Sequence, residues 1–167
     1  MRDELTEIDI KKMREEIEYL KNEIAPKLRA LVKAAKEQGD LSENDGYHSA
    51  RREFRANETR IAYLEEMIKS AVVIKIDSKT DEVGLFDEVD VRYNEDEEDG
   101  TVRIVTTLRN DVTKNCISKE SPMGKALLGK KVGDVVTVKV SPEYSYTMTV
   151  KAIRKGADDD SLPISKY

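Results

Sequence analysis

The chain has 167 residues, of which 38% are charged and only 5% aromatic, with no Trp; so much charge with so few aromatic rings argues against one large globular core and fits a long solvated helical element beside a modest packed domain. Its 29 basic and 34 acidic side chains leave a net charge of −5, which disfavours a general phosphate-backbone binder, since that needs a basic face. No apolar run is long enough to cross a bilayer, the first ten residues form no signal-peptide core, and the single Cys116 permits no internal disulfide, so a cytoplasmic protein with Cys116 as a small buried apolar residue is expected.

The first half repeats at a helical period. Ile10, Met13, Ile17, Leu20 and Ile24 alternate three- and four-residue steps, and the stripe continues less regularly through Leu28, Leu31 and Ala35. This is one face of a coiled coil. Pro26 removes a backbone donor inside that helix and predicts a kink where the spacing also slips. Gly39 suits the left-handed residue that ends a helix, and Asp40, Ser42 and Asn44 are all competent to cap the next one. A second stripe runs through Phe54, Asn57, Ile61, Leu64, Ile68 and Ala71. The expectation is an antiparallel coiled-coil hairpin over residues 1–76, with an acidic tip at 39–46.

The second half alternates at period two. Strands are predicted around Phe86–Tyr93, Val102–Ile104, Val136–Val140 and Tyr146–Val150, with Asn94–Gly100 as an acidic hairpin loop. Ser121 and Pro122 start a short helix that stops before Gly129. Strands, one helix and further strands make a small α+β domain over residues 77–157. Residues 158–167, DDDSLPISKY, read as an acidic disordered tail.

The chemistry lies at the tip, GDLSENDGYHSARRE, residues 39–53. Asp40, Glu43 and Asp45 crowd like charges at a turn. Two carboxylates suit a hard cation such as Mg²⁺, held weakly until another macromolecule completes the ligand set. The competing reading is that Asp, Ser, Glu and Asn favour the dipole and unpaired N–H groups of a helix start, and spacing alone leaves both open. Ser42 and Asn44 serve as caps or bond to a water. Tyr47 stacks on a base or packs, and the lone His48 has no companion ligand. Arg51, Arg52 and Arg55, with Lys33 and Lys36 opposite, form a basic patch or an ordinary solvated helix face. In the short helix, Pro122, Met123, Ala126, Leu127 and Leu128 make an apolar face.

The run GDLSEN followed by Tyr-His and an Ala-Arg stretch resembles the tip signature of the GreA/GreB family of bacterial transcript-cleavage factors, in its GreA branch. The segment SPMGKALLGKKVGDVVTV, residues 121–138, is similar to the family's C-terminal signature, and the heptad hairpin, its proline and the valines Val72 and Val73 fit as well. One departure is Asp45-Gly46 where the family most often has Ala-Glu.

The resemblance implies an FK506-binding-protein-like (FKBP-like) second domain and a monomer that binds RNA polymerase hairpin-first through its secondary channel. Asp40 and Glu43 would help hold a Mg²⁺ ion shared with the polymerase and not bound stably by the factor alone, near the 3′ end of the nascent RNA. Ser42, Asn44 and Asp45 would support the tip, and Arg51, Arg52 and Arg55 would lie near the RNA. Pro122, Met123 and Leu127 would take part in docking. The factor would stimulate cleavage by the polymerase without being an enzyme. The alternatives are an inhibitor in the same channel, an adaptor whose tip acids only cap, and an isomerase or chaperone on an arm. The last is disfavoured because the second half has no Trp and only Phe86 among phenylalanines.

Overall fold

The structure, a computed structural model, describes residues 2–39, 44–158 and 160–166. It divides into two compact units, Ile10–Ala71 and a second that joins Asp3–Asp9 to Val72–Tyr167. The division therefore differs from a single cut after Ile76. The reason is a short parallel pairing: β1 (Glu4–Leu5) lies beside β2 (Val72–Val73), with Glu4 opposite Val72 and Leu5 opposite Val73. Two residues per strand are too few to leave a periodic signal.

The helical unit contains most of α1 (Glu7–Tyr19), a π-helical turn (Leu20–Ile24), α2 (Ala25–Lys36) and α3 (Asp45–Ser70). Cross-helix partners run in opposite directions. Ala35 meets Asn44, Leu20 meets Asn57 and Glu16 meets Arg60, so the pair is antiparallel. The seam holds buried Met13, Leu28, Tyr47, Ala50 and Leu64, each large apolar side chain contributing about 1.5–3 kcal/mol when fully covered.

Along α3 the three–four spacing is unbroken and begins earlier than expected, at buried Tyr47 and Ala50. Along the other arm it slips by one residue. Pro26 cannot donate a hydrogen bond, and immediately before it the Ala25 N–H reaches back five residues to the Leu20 carbonyl. After that turn the seam restarts at Ala25, Leu28, Val32 and Ala35, and Leu31, expected inside, is 53% exposed. The buried Asn57 amide donates to the same Leu20 carbonyl at 3.4 Å, which pins the register at the slip.

The second unit is built on a five-stranded sheet in the order β5 (Cys116–Ser118), β4 (Glu98–Val105), β3 (Glu88–Tyr93), β7 (Ser145–Arg154), β6 (Val135–Lys139). All neighbours are antiparallel except β4 and β5. Val89, Val91, Val102, Ile104, Val136, Val138, Met148 and Val150 face a core that also receives Leu127 from α4 (Pro122–Leu127). The helix begins as expected, with the Ser121 hydroxyl accepting from the Gly124 N–H at 3.0 Å.

Three features differ from the sequence reading. Phe86 lies before the strand at φ 68, so the strand starts at Glu88 and not at Phe86. Glu98–Gly100 belong to β4, so the acidic loop shrinks to a tight turn through Glu97 at φ 54. Asp158 and residues 160–166 are not a free acidic tail in their contacts. Asp158 meets Arg109, Leu162 packs against the core, and the Ser165 N–H donates to the Leu108 carbonyl at 2.6 Å. Composition marks this stretch as polar but carries no trace of its partners. Gly156 is required where it stands, because a Cβ there would lie 2.0 Å from the Phe86 carbonyl oxygen.

Candidate functional site

Beside the tip, one side chain joins the ends of α2 and α3. Asn44, at an extended φ of −90° before α3, accepts the Tyr47 N–H on its Oδ1 at 2.9 Å. Its Nδ2 donates to the Ala35 carbonyl in the last turn of α2 at 2.7 Å. One amide thus caps the start of α3 and ties it to the end of the opposing helix. Gly39, at φ 122, takes the left-handed conformation expected after α2. A Cβ on Gly46 would stand 3.3 Å from the Asn44 Oδ1, so the unusual glycine leaves room for the cap.

The proposed metal-holding pair, Asp40 and Glu43, and the supporting Ser42 lie outside the described residues. Among the supporting residues that are described, Asn44 is occupied as the cap, and Asp45 is the exposed first residue of α3. Among the described residues no group of three or more His, Cys, Asp or Glu side chains is placed to hold a metal. Oxygen-only donors of this kind suit Mg²⁺ chemically, and they are too few to complete its octahedral shell without outside ligands.

Tyr47 is buried, with its ring centroid 5.5 Å from that of exposed His48, and its hydroxyl meets the Arg51 guanidinium at 3.4 Å. Packing therefore accounts for Tyr47. Arg51, Arg52 and Arg55 are all exposed on α3, as are Lys33 and Lys36 on α2. The structure adds a recess that the sequence reading missed. Arg29, Val32, Lys33 and Lys36 surround the half-buried Phe54, with the Arg29 guanidinium 5.9 Å from the ring centroid. Phe54 reads in sequence only as a seam residue. The cations that flank it come from the opposite helix, so no local motif announces the cluster.

In the sheet unit, Pro122 is exposed and Met123 half-buried, but Leu127 has no exposed surface. Leu127 is thus corrected from a docking residue to a core residue, because α4 turns that side chain onto the sheet. Cys116 is buried and free, and burial pushes its thiol above the ordinary range, which keeps it protonated and unreactive. No helix among the described residues is long and apolar enough to cross a membrane.

Comparison with known proteins covers nearly the whole chain. The family description "Transcription elongation factor, N-terminal" matches residues 4–73, and "Transcription elongation factor, GreA/GreB, C-term" matches residues 78–155. The protein named transcription elongation factor GreA from Thermoanaerobacter pseudethanolicus is 45% identical over 155 residues, covering 90% of this chain and 96% of its own. The GreA from Caldanaerobacter subterraneus subsp. tengcongensis is 46% identical over 158 residues, with the same coverage of 90% and 96%. Among solved structures, GreA factor homolog 1 (Gfh1) of Thermus thermophilus is 28% identical, covering 93% of this chain and 100% of that one, at a TM-score of 0.42.

Proposed function

Because this chain belongs to the GreA/GreB transcription elongation factor family, we propose that it binds RNA polymerase, inserts its hairpin tip into the secondary channel and stimulates cleavage of the 3′ end of backtracked nascent RNA. The observation that carries this reading is the match of both family descriptions, in order, across residues 4–73 and 78–155. The Asn44 clamp between the two helix ends supports it physically, since it gives the acidic connection a stiff base.

In this reading Asp40 and Glu43 supply carboxylate oxygens to a metal ion shared with the polymerase. A Mg²⁺ held between them and the polymerase would neutralise charge developing on the phosphate and favour ionisation of a bound water. Asn44 ties the start of α3 to the end of α2, and Ser42 and Asp45 are the further candidates for supporting the tip. The exposed guanidinium groups of Arg51, Arg52 and Arg55, with the Phe54 recess, offer the extruded RNA cations for its phosphates and an apolar wall for a base. Exposed Pro122 and half-buried Met123 remain candidates for docking. The polymerase is the nuclease, and this chain contributes half of a site.

The test is RNA release from a stalled bacterial elongation complex in Mg²⁺, comparing the unmodified chain with Asp40→Ala plus Glu43→Ala. Short 3′ fragments with the first and none with the second are expected. Equal cutting by both would reduce the tip acids to caps. A chain that cuts nothing yet competes with an active cleavage factor would instead be an inhibitor, the outcome to which the unusual Asp45-Gly46 pair is relevant.

A further inference from the structure

The two ends of the sheet unit's sequence meet at one buried cation. Arg109 is 1% exposed, beneath the ring of Phe86 at 5.5 Å from its centroid. Its Nε lies 2.8 Å from the Asp9 carboxylate, and its Nη2 lies 2.8 Å from the Asp158 carboxylate. Asp9 belongs to the first turn of α1 and Asp158 to the segment after β7. Thr6 joins them. Its backbone N–H donates to Asp9 Oδ2 at 3.0 Å, and its hydroxyl accepts the Asp9 N–H at 3.2 Å. That is a reciprocal capping box at the start of α1. The same hydroxyl donates its proton to the Asp158 carboxylate.

The segment that carries Asp158 is attached at successive points. The Gly156 N–H donates to Asp87 Oδ1 at 2.9 Å, Leu162 packs against the core beside Arg103 and Cys116, and the Ser165 N–H reaches the Leu108 carbonyl. Asp9 and Arg109 lie inside the spans matched by the family descriptions, whereas the match ends at residue 155. The strap therefore lies beyond the matched region, which itself contains the buried Asp9–Arg109 pair.

We propose that residues 156–158 and 160–166 act as a strap that latches the N-terminal segment Asp3–Asp9 onto the sheet unit, with Asp158 as its catch in the Arg109 pocket. A buried guanidinium is held well only when its donors are matched by acceptors. Asp158 supplies the second carboxylate and, through Thr6, also grips the capping box. Losing the catch leaves the pair Asp9–Arg109 intact, so the unit stays folded while the strap and the N-terminal segment loosen together. Burial pushes the Asp158 carboxyl above the ordinary range against the pull of Thr6 and Arg109, which is consistent with a catch that the fold holds against its own solvation.

The test is hydrogen exchange read by mass spectrometry on the full chain and on Asp158→Asn, with Leu162→Ala as a second variant that leaves the ion cluster untouched. Asp158→Asn should speed exchange about tenfold or more in peptides covering residues 3–9 and 160–166, leaving 98–105 at the parental rate. Leu162→Ala should loosen the strap and, to a smaller extent, residues 3–9. Faster exchange at 160–166 with residues 3–9 unchanged would overturn the latch, as would no change in either segment. A uniform rise across the sheet would assign Asp158 to general stability and likewise overturn it. None of these outcomes depends on the role at the polymerase.

Discussion

The helical unit and the sheet unit are stabilised in different ways. The helices share a narrow seam in which the same contact recurs every three or four residues, with polar Asn57 buried within it and the part-exposed Glu16–Arg60 pair at its margin. The sheet unit encloses charged groups outright: Asp9, Asp87 and Arg109 are each at most 1% exposed. Asp87 accepts from the Gly84 and Gly156 N–H groups at 2.7 and 2.9 Å and pairs with Lys155. A repeated seam loses stability in small increments, whereas a unit organised around buried ions loses much of it at one position.

The sharpest break in that contrast would come at Arg109. Arg109→Ala strands two carboxylates and should cost about 3–5 kcal/mol in urea unfolding of the sheet unit. Leu64→Ala, at a fully buried point of the seam, should cost about 2 kcal/mol, at the low end for a buried leucine because open flanks let the helices settle. Equal losses for the two would dissolve the distinction. Asn44→Ala should cost about 1 kcal/mol as a lost cap, seen as a lower melting temperature of the helical signal with the sheet unchanged.

The smallest effect tests the sheet's outer surface. Arg154, then Thr101, hold the Asp90 carboxyl down to about 2 from its ordinary 3.8. A depressed carboxylate stabilises the fold above its unfolded value, and that contribution disappears as pH falls through the window toward 2. Acid unfolding followed by circular dichroism should therefore separate the unmodified chain from Asp90→Asn near neutrality and bring them together near pH 2. Curves that stay parallel to the bottom of that range would show the Arg154 pair to be fully screened by solvent.

Most of the helical unit was legible because its physics is periodic. Ile10, Met13 and Leu64 announce the seam, Pro26 announces the break, and Gly39 announces the end of α2. Leu31 misled because the break is a shift in phase, and spacing on one arm cannot say how the opposite arm will be met. In the sheet unit the alternating valines gave four of the five strands of the main sheet. The parallel strand Cys116–Ser118, the β1–β2 pair and the Arg109 cluster join residues far apart in sequence. Their individual residues are ordinary, so no local pattern marks them. At the candidate site the acids and arginines stood out as a motif, while the double role of Asn44 and the recess around Phe54 appear only when two helices are laid side by side.

The π-helical turn at Leu20–Ile24 acts as an azimuth corrector for the hairpin. Each residue of a helix turns its side chains by roughly 100°, so a one-residue slip rotates everything beyond it about the helix axis by that amount. Without the slip, α2 would present another side to α3, and Lys33 and Lys36 would swing away from the Phe54 recess. Removing one residue from Leu20–Ile24 should let the turn close as ordinary α-helix and keep Ala25, Leu28, Val32 and Ala35 on the seam, with the basic side of the arm still beside its ring. The basic side of the hairpin is thus aimed from mid-shaft, well away from the tip.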